Sequence, residues 1–139
     1  MKPLYIKSCC YLLLAIWISG CVYHKQEEIA PSAQCLNKNL LPDTVSFKKN
    51  ILPVLVNNCA TSGCHSGLSP KGNFNVDAIH AYRTLLKKGS GYIDTVQPAF
   101  SILYGVLVST GKPMPPAGPL APCDIELIRK WMEQKAHDN

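Results

Sequence analysis

Cys59-Ala-Thr-Ser-Gly-Cys64-His65 is the stretch that decides the fold of this 139-residue chain. It places two thiols beside an imidazole, and these groups bond to metals, to each other or to a cofactor. A disulfide between Cys59 and Cys64 is one interpretation, and it leaves His65 merely exposed. A zinc site that recruits His80 is a second interpretation, although the chain lacks the second ligand pair of an ordinary zinc module. The rest of the sequence is needed to choose between these interpretations and a cofactor site.

A proline-rich loop downstream adds a further candidate ligand. It reads Gly-Lys-Pro-Met-Pro-Pro-Ala-Gly-Pro over residues 111–119, and its Met114 follows His65 by 49 residues. A thioether sulfur is a soft ligand that suits iron, and prolines restrict the backbone around it without forming a helix. A methionine by itself is more often a core residue that fills a gap. Met114 is therefore a candidate ligand only in combination with the Cys-Cys-His segment.

Apolar residues recur at helical spacing in four segments around these motifs. The predicted helices, in chain order, are Val45–Val56, Asp77–Lys88, Ser101–Val108 and Pro122–Ala136. Pro53 would kink or restart the first helix, which can therefore divide into two shorter segments. The connecting loops are rich in Gly, Ser and Pro and show no strand alternation. We predict one all-α domain of about four short helices, which buries little by itself and needs a large group at its centre.

The stretch from Val45 to Ala136 resembles a small class I cytochrome c domain. The shared order is a leading helix, a Cys-Cys-His segment, middle helices, a Met-Pro loop and a closing helix. The resemblance implies one covalent haem c attached to Cys59 and Cys64, with His65 as the proximal and Met114 as the distal iron ligand. The usual attachment motif is Cys-x-x-Cys-His, whereas four residues separate the cysteines here. Bacterial lipoproteins of this family with longer attachment loops are the nearest likeness.

The resemblance also implies a function and a packing arrangement. The first and last helices of this family cross near the haem edge, and Phe47 and Trp131 are the candidates for that crossing. An iron with both axial positions filled by protein transfers single electrons between redox proteins, so we expect an electron carrier and not an enzyme. Two alternatives stay open: a haem enzyme or gas-binding protein with an open iron site, and a haem-free, disulfide-linked lipoprotein binding module. Candidates for a face that docks an acidic partner are the lysines at positions 48, 49, 71, 87, 88 and 112.

The N-terminus has the features of an export signal. Residues 1–20 contain two lysines, an apolar run too short to span a bilayer, and a small-residue end. The sequence Ile-Ser-Gly-Cys at 18–21 resembles the bacterial lipobox, in which the cysteine is acylated and becomes the first residue after cleavage. This resemblance implies that Cys21 is lipidated and holds the protein on a membrane, at the periplasmic face or on the outer membrane of a bacterium. Residues 21–43 then form a tether, and 44–139 form the cytochrome c-like domain.

Cys35 and Cys123 remain after these assignments. In an exported protein two remaining cysteines most simply pair with each other, and the alternative leaves both of them reduced. The formal charge is +5, and loss of Lys2 and Lys7 with the signal lowers it to +3. This charge is too small to predict nucleic-acid binding. We also expect the protein to be a monomer.

Overall fold

The computed structural model describes residues 41–139, which form a bundle of short helices. A π-helical segment, Phe47–Ile51, runs directly into helix α1. The α-helices are α1 (Leu52–Asn58), α2 (Ala81–Leu85), α3 (Ile102–Leu107) and α4 (Pro122–Glu133), and 3₁₀ turns lie at Lys71–Asn73 and Pro98–Phe100. No strand forms between residues 41 and 139, which confirms the all-α prediction. The signal, Cys21 and most of the tether lie outside the described residues.

Pro53 divides the first predicted helix into two segments. It lies in the first turn of α1, where a proline is tolerated because its missing N–H would have no helical partner. The preceding segment is π-helical, with the Ile51 N–H donating to the Ser46 carbonyl at 3.3 Å. The Ser46 hydroxyl caps this segment by accepting from the Lys49 N–H at 3.2 Å. The first predicted helix therefore consists of two consecutive segments, as expected from Pro53.

Helix α2 is shorter than the predicted Asp77–Lys88. The Asp77 carboxylate accepts the backbone N–H groups of Ile79 and His80 at 3.1 and 3.0 Å, which holds the chain in a turn before the helix begins at Ala81. Ile79 lies in this turn and is 81% exposed. Helix α3 lies inside its predicted range. Helix α4 ends three residues early.

The two ends of the domain pack against each other through aromatic rings. The centroids of Phe47 and Trp131 lie 5.3 Å apart, and those of Phe47 and Tyr82 lie 5.1 Å apart. The Trp131 indole N–H donates to the His137 carbonyl at 2.9 Å, so its one polar group is satisfied inside the core. These contacts show that the first and last helical segments pack against each other at Phe47 and Trp131. The other core members are Val45, Ile51, Leu55, Val76, Ala81, Leu85, Leu103, Leu107, Leu120, Ile128, Met132 and Ala136.

Gln134 joins the two ends by hydrogen bonds as well. Its side-chain oxygen accepts the Val45 N–H at 2.9 Å, and its side-chain nitrogen donates to the Asp43 carbonyl at 2.6 Å. Asn139 adds a second link, because its side-chain oxygen accepts the Phe47 N–H at 2.8 Å. Gln134 and Asn139 therefore form hydrogen bonds with backbone groups at the start of the first helix. Such groups have no hydrogen-bond partner within the helix itself.

Gln134→Ala should lower the free energy of unfolding by about 1–2 kcal/mol, because it removes two hydrogen bonds that hold the domain's ends together. Urea unfolding of the purified domain measures this effect. Gln97→Ala is the matched control, since Gln97 is exposed in a loop and its side chain makes none of these contacts. Equal stability of the two variants would show that the link is not stabilising.

Candidate functional site: the cavities at the Cys-Cys-His loop

The four-residue loop between the cysteines is closed by backbone hydrogen bonds. The Cys64 N–H donates to the Thr61 carbonyl at 3.0 Å, and the His65 N–H donates to the Cys59 carbonyl at 3.2 Å. Gly63 has φ +75°, a left-handed conformation that other residues adopt with strain. The extra residues thus fold into a compact turn, which returns His65 to the end of α1.

The imidazole of His65 is fixed by a backbone carbonyl. Its Nδ1 lies 3.0 Å from the Lys71 oxygen. A carbonyl can only accept, so Nδ1 carries the hydrogen, and in the neutral ring Nε2 has the lone pair that can bind a ligand. The Lys71 N–H donates to the Cys64 carbonyl at 2.7 Å, and the Val76 N–H donates to the His65 carbonyl at 2.8 Å. These bonds hold the loop on both sides of the ring. The arrangement is typical of a metal-binding histidine, whose other ring nitrogen is usually hydrogen-bonded.

Two aromatic rings extend from His65. Its ring centroid lies 5.2 Å from that of Phe74 with the planes at 85°, and Phe74 lies 4.7 Å from Tyr92 at 64°. Both pairs have the edge-to-face geometry that aromatic rings prefer. The rings form one wall of a cavity beside the imidazole.

Two cavities meet at this loop. The first, of about 220 Å³, has almost entirely apolar walls, and the second, of about 490 Å³, is more polar. Both are lined by Cys59, His65, Lys71 and Met114. The first is completed by Gly72, Phe74, Tyr92, Ile102, Leu103, Val106 and Leu107, and the second by Asn57, Asn58, Thr61, Cys64 and residues 115–120. Together they reach the size of small-molecule sites, which occupy about 300–1,000 Å³.

Met114 is held at the cavities by α3. Its N–H donates to the Val106 carbonyl at 3.0 Å, and the residue is 38% exposed. Met132 is fully buried instead, with its sulfur 3.1 Å from the Ser101 hydroxyl. The structure thus brings Met114 to the same cavities as His65 and confirms Met132 as a core residue.

Cys59 and Cys64 are both free thiols, and the structure therefore does not contain the disulfide considered between them. Burial raises the pKa of the Cys59 thiol to about 11, and the neighbouring Cys64 thiol adds to this effect. Cys59 is thus protonated at neutral pH and is a poor thiolate nucleophile. Cys123 takes part in a disulfide bond. Its predicted partner, Cys35, lies outside the described residues, so that pairing stays a prediction.

Alkylation of the haem-free protein should reveal the buried thiol. Cys59 should react slowly with iodoacetamide at pH 8, because only on the order of one molecule in a thousand is then a thiolate. Its rate should rise about tenfold per pH unit and level off near pH 11, while the unfolded protein reacts at the rate of an ordinary thiol. Mass spectrometry of the Cys59 peptide measures the rate. A rate in the folded protein equal to that in urea would contradict the assigned pKa.

His80 is placed away from this constellation. Its Nδ1 lies 2.7 Å from the Asp77 carboxylate, and the residue lines neither cavity. The hydrogen bond from His80 is one of the contacts that lower the pKa of Asp77, although burial acts in the opposite direction. Within residues 41–139, no group of three or more His, Cys, Asp or Glu side chains converges on a point where a metal could bind. The zinc site with His80 is therefore not formed.

Sequence reasoning missed three residues of the site. Lys71 supplies the carbonyl that orients His65, while Phe74 and Tyr92 form the aromatic wall. All three lie in segments identified only as loops, and backbone acceptors leave no mark in a sequence. The sequence feature that could have indicated Phe74 and Tyr92 as site residues is the presence of aromatic residues in Gly- and Ser-rich loops.

Comparison of the chain with protein-family models, with curated proteins and with solved structures finds no match.

Proposed function

We propose that the protein is a membrane-tethered monohaem c-type cytochrome that carries single electrons between redox partners outside the cytoplasm. The observation that best supports this is the hydrogen bond from His65 Nδ1 to the Lys71 carbonyl. It leaves Nε2 available as a ligand in a residue that shares two cavities with Cys59 and Met114.

The donor set fits a covalent haem c. Cys59 and Cys64 are free thiols at the two ends of the four-residue loop and could each form a thioether, while His65 and Met114 are the expected iron ligands. The smaller cavity has almost entirely apolar walls, which would suit the apolar face of a porphyrin. When bound, haem supplies a one-electron couple between ferrous and ferric iron. The protein's part is to hold this group, to orient the imidazole and to supply a soft sulfur that favours reduced iron.

The electron-carrier function is favoured over catalysis by the position of Met114. Met114 lines both cavities together with His65 and would supply a second protein ligand, which would keep substrates from the iron. An optical redox titration tests this function: the protein should show a single one-electron wave, a low-spin spectrum and slow cyanide binding. A high-spin ferric spectrum with rapid cyanide binding would instead support the alternative with an open iron site.

The partner is expected to be another redox protein with an acidic surface. Lys71 lines both cavities and so lies at the proposed haem site. Lys48, in contrast, is in an ion pair with Asp138 at 3.6 Å, which partly neutralises it. Electron exchange with an acidic partner should therefore slow as salt is added, because screening weakens attraction between surface charges.

The membrane attachment rests on Cys21. Between residues 41 and 139 no helix is long and apolar enough to cross a bilayer. We propose that acyl chains on Cys21 anchor the protein and that residues up to 43 act as a tether.

Cys21→Ser should leave the protein without lipid and shift it from the membrane fraction to the soluble exported fraction. The reason is that acyl chains on this cysteine are the proposed anchor, and two or more chains are needed for stable attachment. Fractionation followed by mass spectrometry of the N-terminal peptide measures both effects. Unmodified Cys21 in native, membrane-extracted protein would contradict the proposed anchor.

A further inference from the structure

One hydrogen bond orients the His65 ring. Its Nδ1 bonds to the Lys71 carbonyl at 3.0 Å, and no other polar contact to the ring occurs in the part of the chain that the structure describes. This bond fixes the tautomer and restrains rotation about the Cβ–Cγ bond, but it acts at only one edge of the ring. Packing against the ring adds a second restraint on its plane.

Phe74 supplies that packing from the same turn that supplies the carbonyl. Its ring stands at 85° to the imidazole at a centroid distance of 5.2 Å. The Phe74 N–H donates at 3.3 Å to the Lys71 oxygen that also accepts from His65. Gly72 and Asn73, with φ 66° and 53°, turn the backbone between them. This turn therefore contacts His65 twice, through a carbonyl and through a ring.

The ring of Tyr92 packs against the ring of Phe74, and Tyr92 links Phe74 to α3. The two rings lie 4.7 Å apart, and the Tyr92 carbonyl accepts the Leu103 N–H in the first turn of α3 at 3.2 Å. The same helix accepts the Met114 N–H through the Val106 carbonyl. A continuous series of contacts therefore joins the proposed proximal ligand to the segment that carries the distal one.

We infer that Phe74, backed by Tyr92, is a positioning residue that fixes the plane of the His65 imidazole and couples it to the Met114 loop through α3. This inference rests on the proposed function, since the ring plane matters to the iron only if His65 is its ligand. Ligand orientation changes the electronic state of the iron, so the Phe74 ring should influence the spectrum and the reduction equilibrium. Loss of the ring should not affect haem attachment, which depends on the cysteines.

The test uses the haem-loaded full chain with Phe74→Leu, which removes the ring but keeps apolar volume, and Phe74→Tyr, which keeps the ring. Phe100→Leu is the matched control, because Phe100 is 76% exposed and lines neither cavity. Haem content, the electron paramagnetic resonance spectrum of the oxidised protein and the midpoint potential are measured for each. Loss of a group that supports a metal ligand typically changes metal affinity or activity by about 10–100-fold. We expect Phe74→Leu to change the reduction equilibrium constant by about tenfold, at the lower end of that range.

Support for the inference is a shifted or heterogeneous resonance spectrum and an altered potential in Phe74→Leu at normal haem content, with both restored in Phe74→Tyr. A spectrum and potential in Phe74→Leu that match wild type and Phe100→Leu would overturn it while leaving the proposed function intact. Should Phe74→Leu fail to fold, Tyr92→Leu is measured in the same way, and wild-type values there would also overturn the inference. Wild-type protein without covalent haem would instead overturn the proposed function, and the inference with it.

Discussion

Replacement of both Cys59 and Cys64 by alanine is expected to abolish covalent haem completely. Each thiol is free in the structure and is proposed to form one thioether, so the double variant has no attachment point left. Denaturing electrophoresis with staining for haem peroxidase activity measures this effect. The wild-type band should stay coloured after boiling, and the band of the double variant should be colourless.

The control for this result lies in the same loop. Ser62→Ala changes an exposed residue between the two cysteines and keeps both thiols, so its band should stay coloured. The two single cysteine variants should each keep reduced amounts of haem through one thioether. A double variant that retains boiling-resistant haem would show that attachment occurs elsewhere in the chain.

Met114→Ala is expected to produce the second large effect, the loss of the distal ligand. The oxidised wild-type protein should show the weak charge-transfer band near the red edge of the spectrum that sulfur-ligated ferric haem gives, and the variant should lack it. The potential should also fall, because methionine opposite histidine favours reduced iron. Cyanide should bind faster, since one coordination position is then open, while thioether attachment should be unchanged.

Two control variants separate Met114 from its rivals. Met132→Leu replaces the only other methionine of residues 41–139 within the apolar core, and the band should persist. His80→Ala should also leave the band in place, because His80 bonds to Asp77 and lines neither cavity. Persistence of the band in Met114→Ala, or its loss in His80→Ala, would show that the distal ligand had been misassigned.

The helical class could be predicted from the sequence because apolar spacing reports it directly. The packing of Phe47 against Trp131 was expected from the family resemblance and not from apolar spacing. Ile128 and Met132 lie four residues apart in the predicted last helix and are both buried, and Pro53 marked a real division of the first helix. The error at α2 has a local cause. Asp77 forms side-chain hydrogen bonds to the backbone that compete with the first helical turn, and apolar spacing alone does not reveal this competition.

The sequence identified the candidate ligands of the site but not the residues that support them. Met114 was identified by the density of prolines around it, and the structure brings it to the same cavities as His65. The Lys71 carbonyl is invisible in a sequence because every residue carries one. The pairing of Phe74 with Tyr92 depends on how two loops meet, and no local pattern predicts such a meeting. Both features required the three-dimensional structure.

A pyridine haemochrome spectrum most directly tests the central claim that Cys59 and Cys64 bind haem covalently. The full chain should be produced in a host with complete haem-attachment machinery and extracted with acidified acetone, which removes haem that is not covalently bound. We expect the pellet to retain a haemochrome whose α band has the position given by haem with both vinyl groups saturated, at one haem per chain. A colourless pellet from correctly exported protein would contradict the account and would support a haem-free lipoprotein.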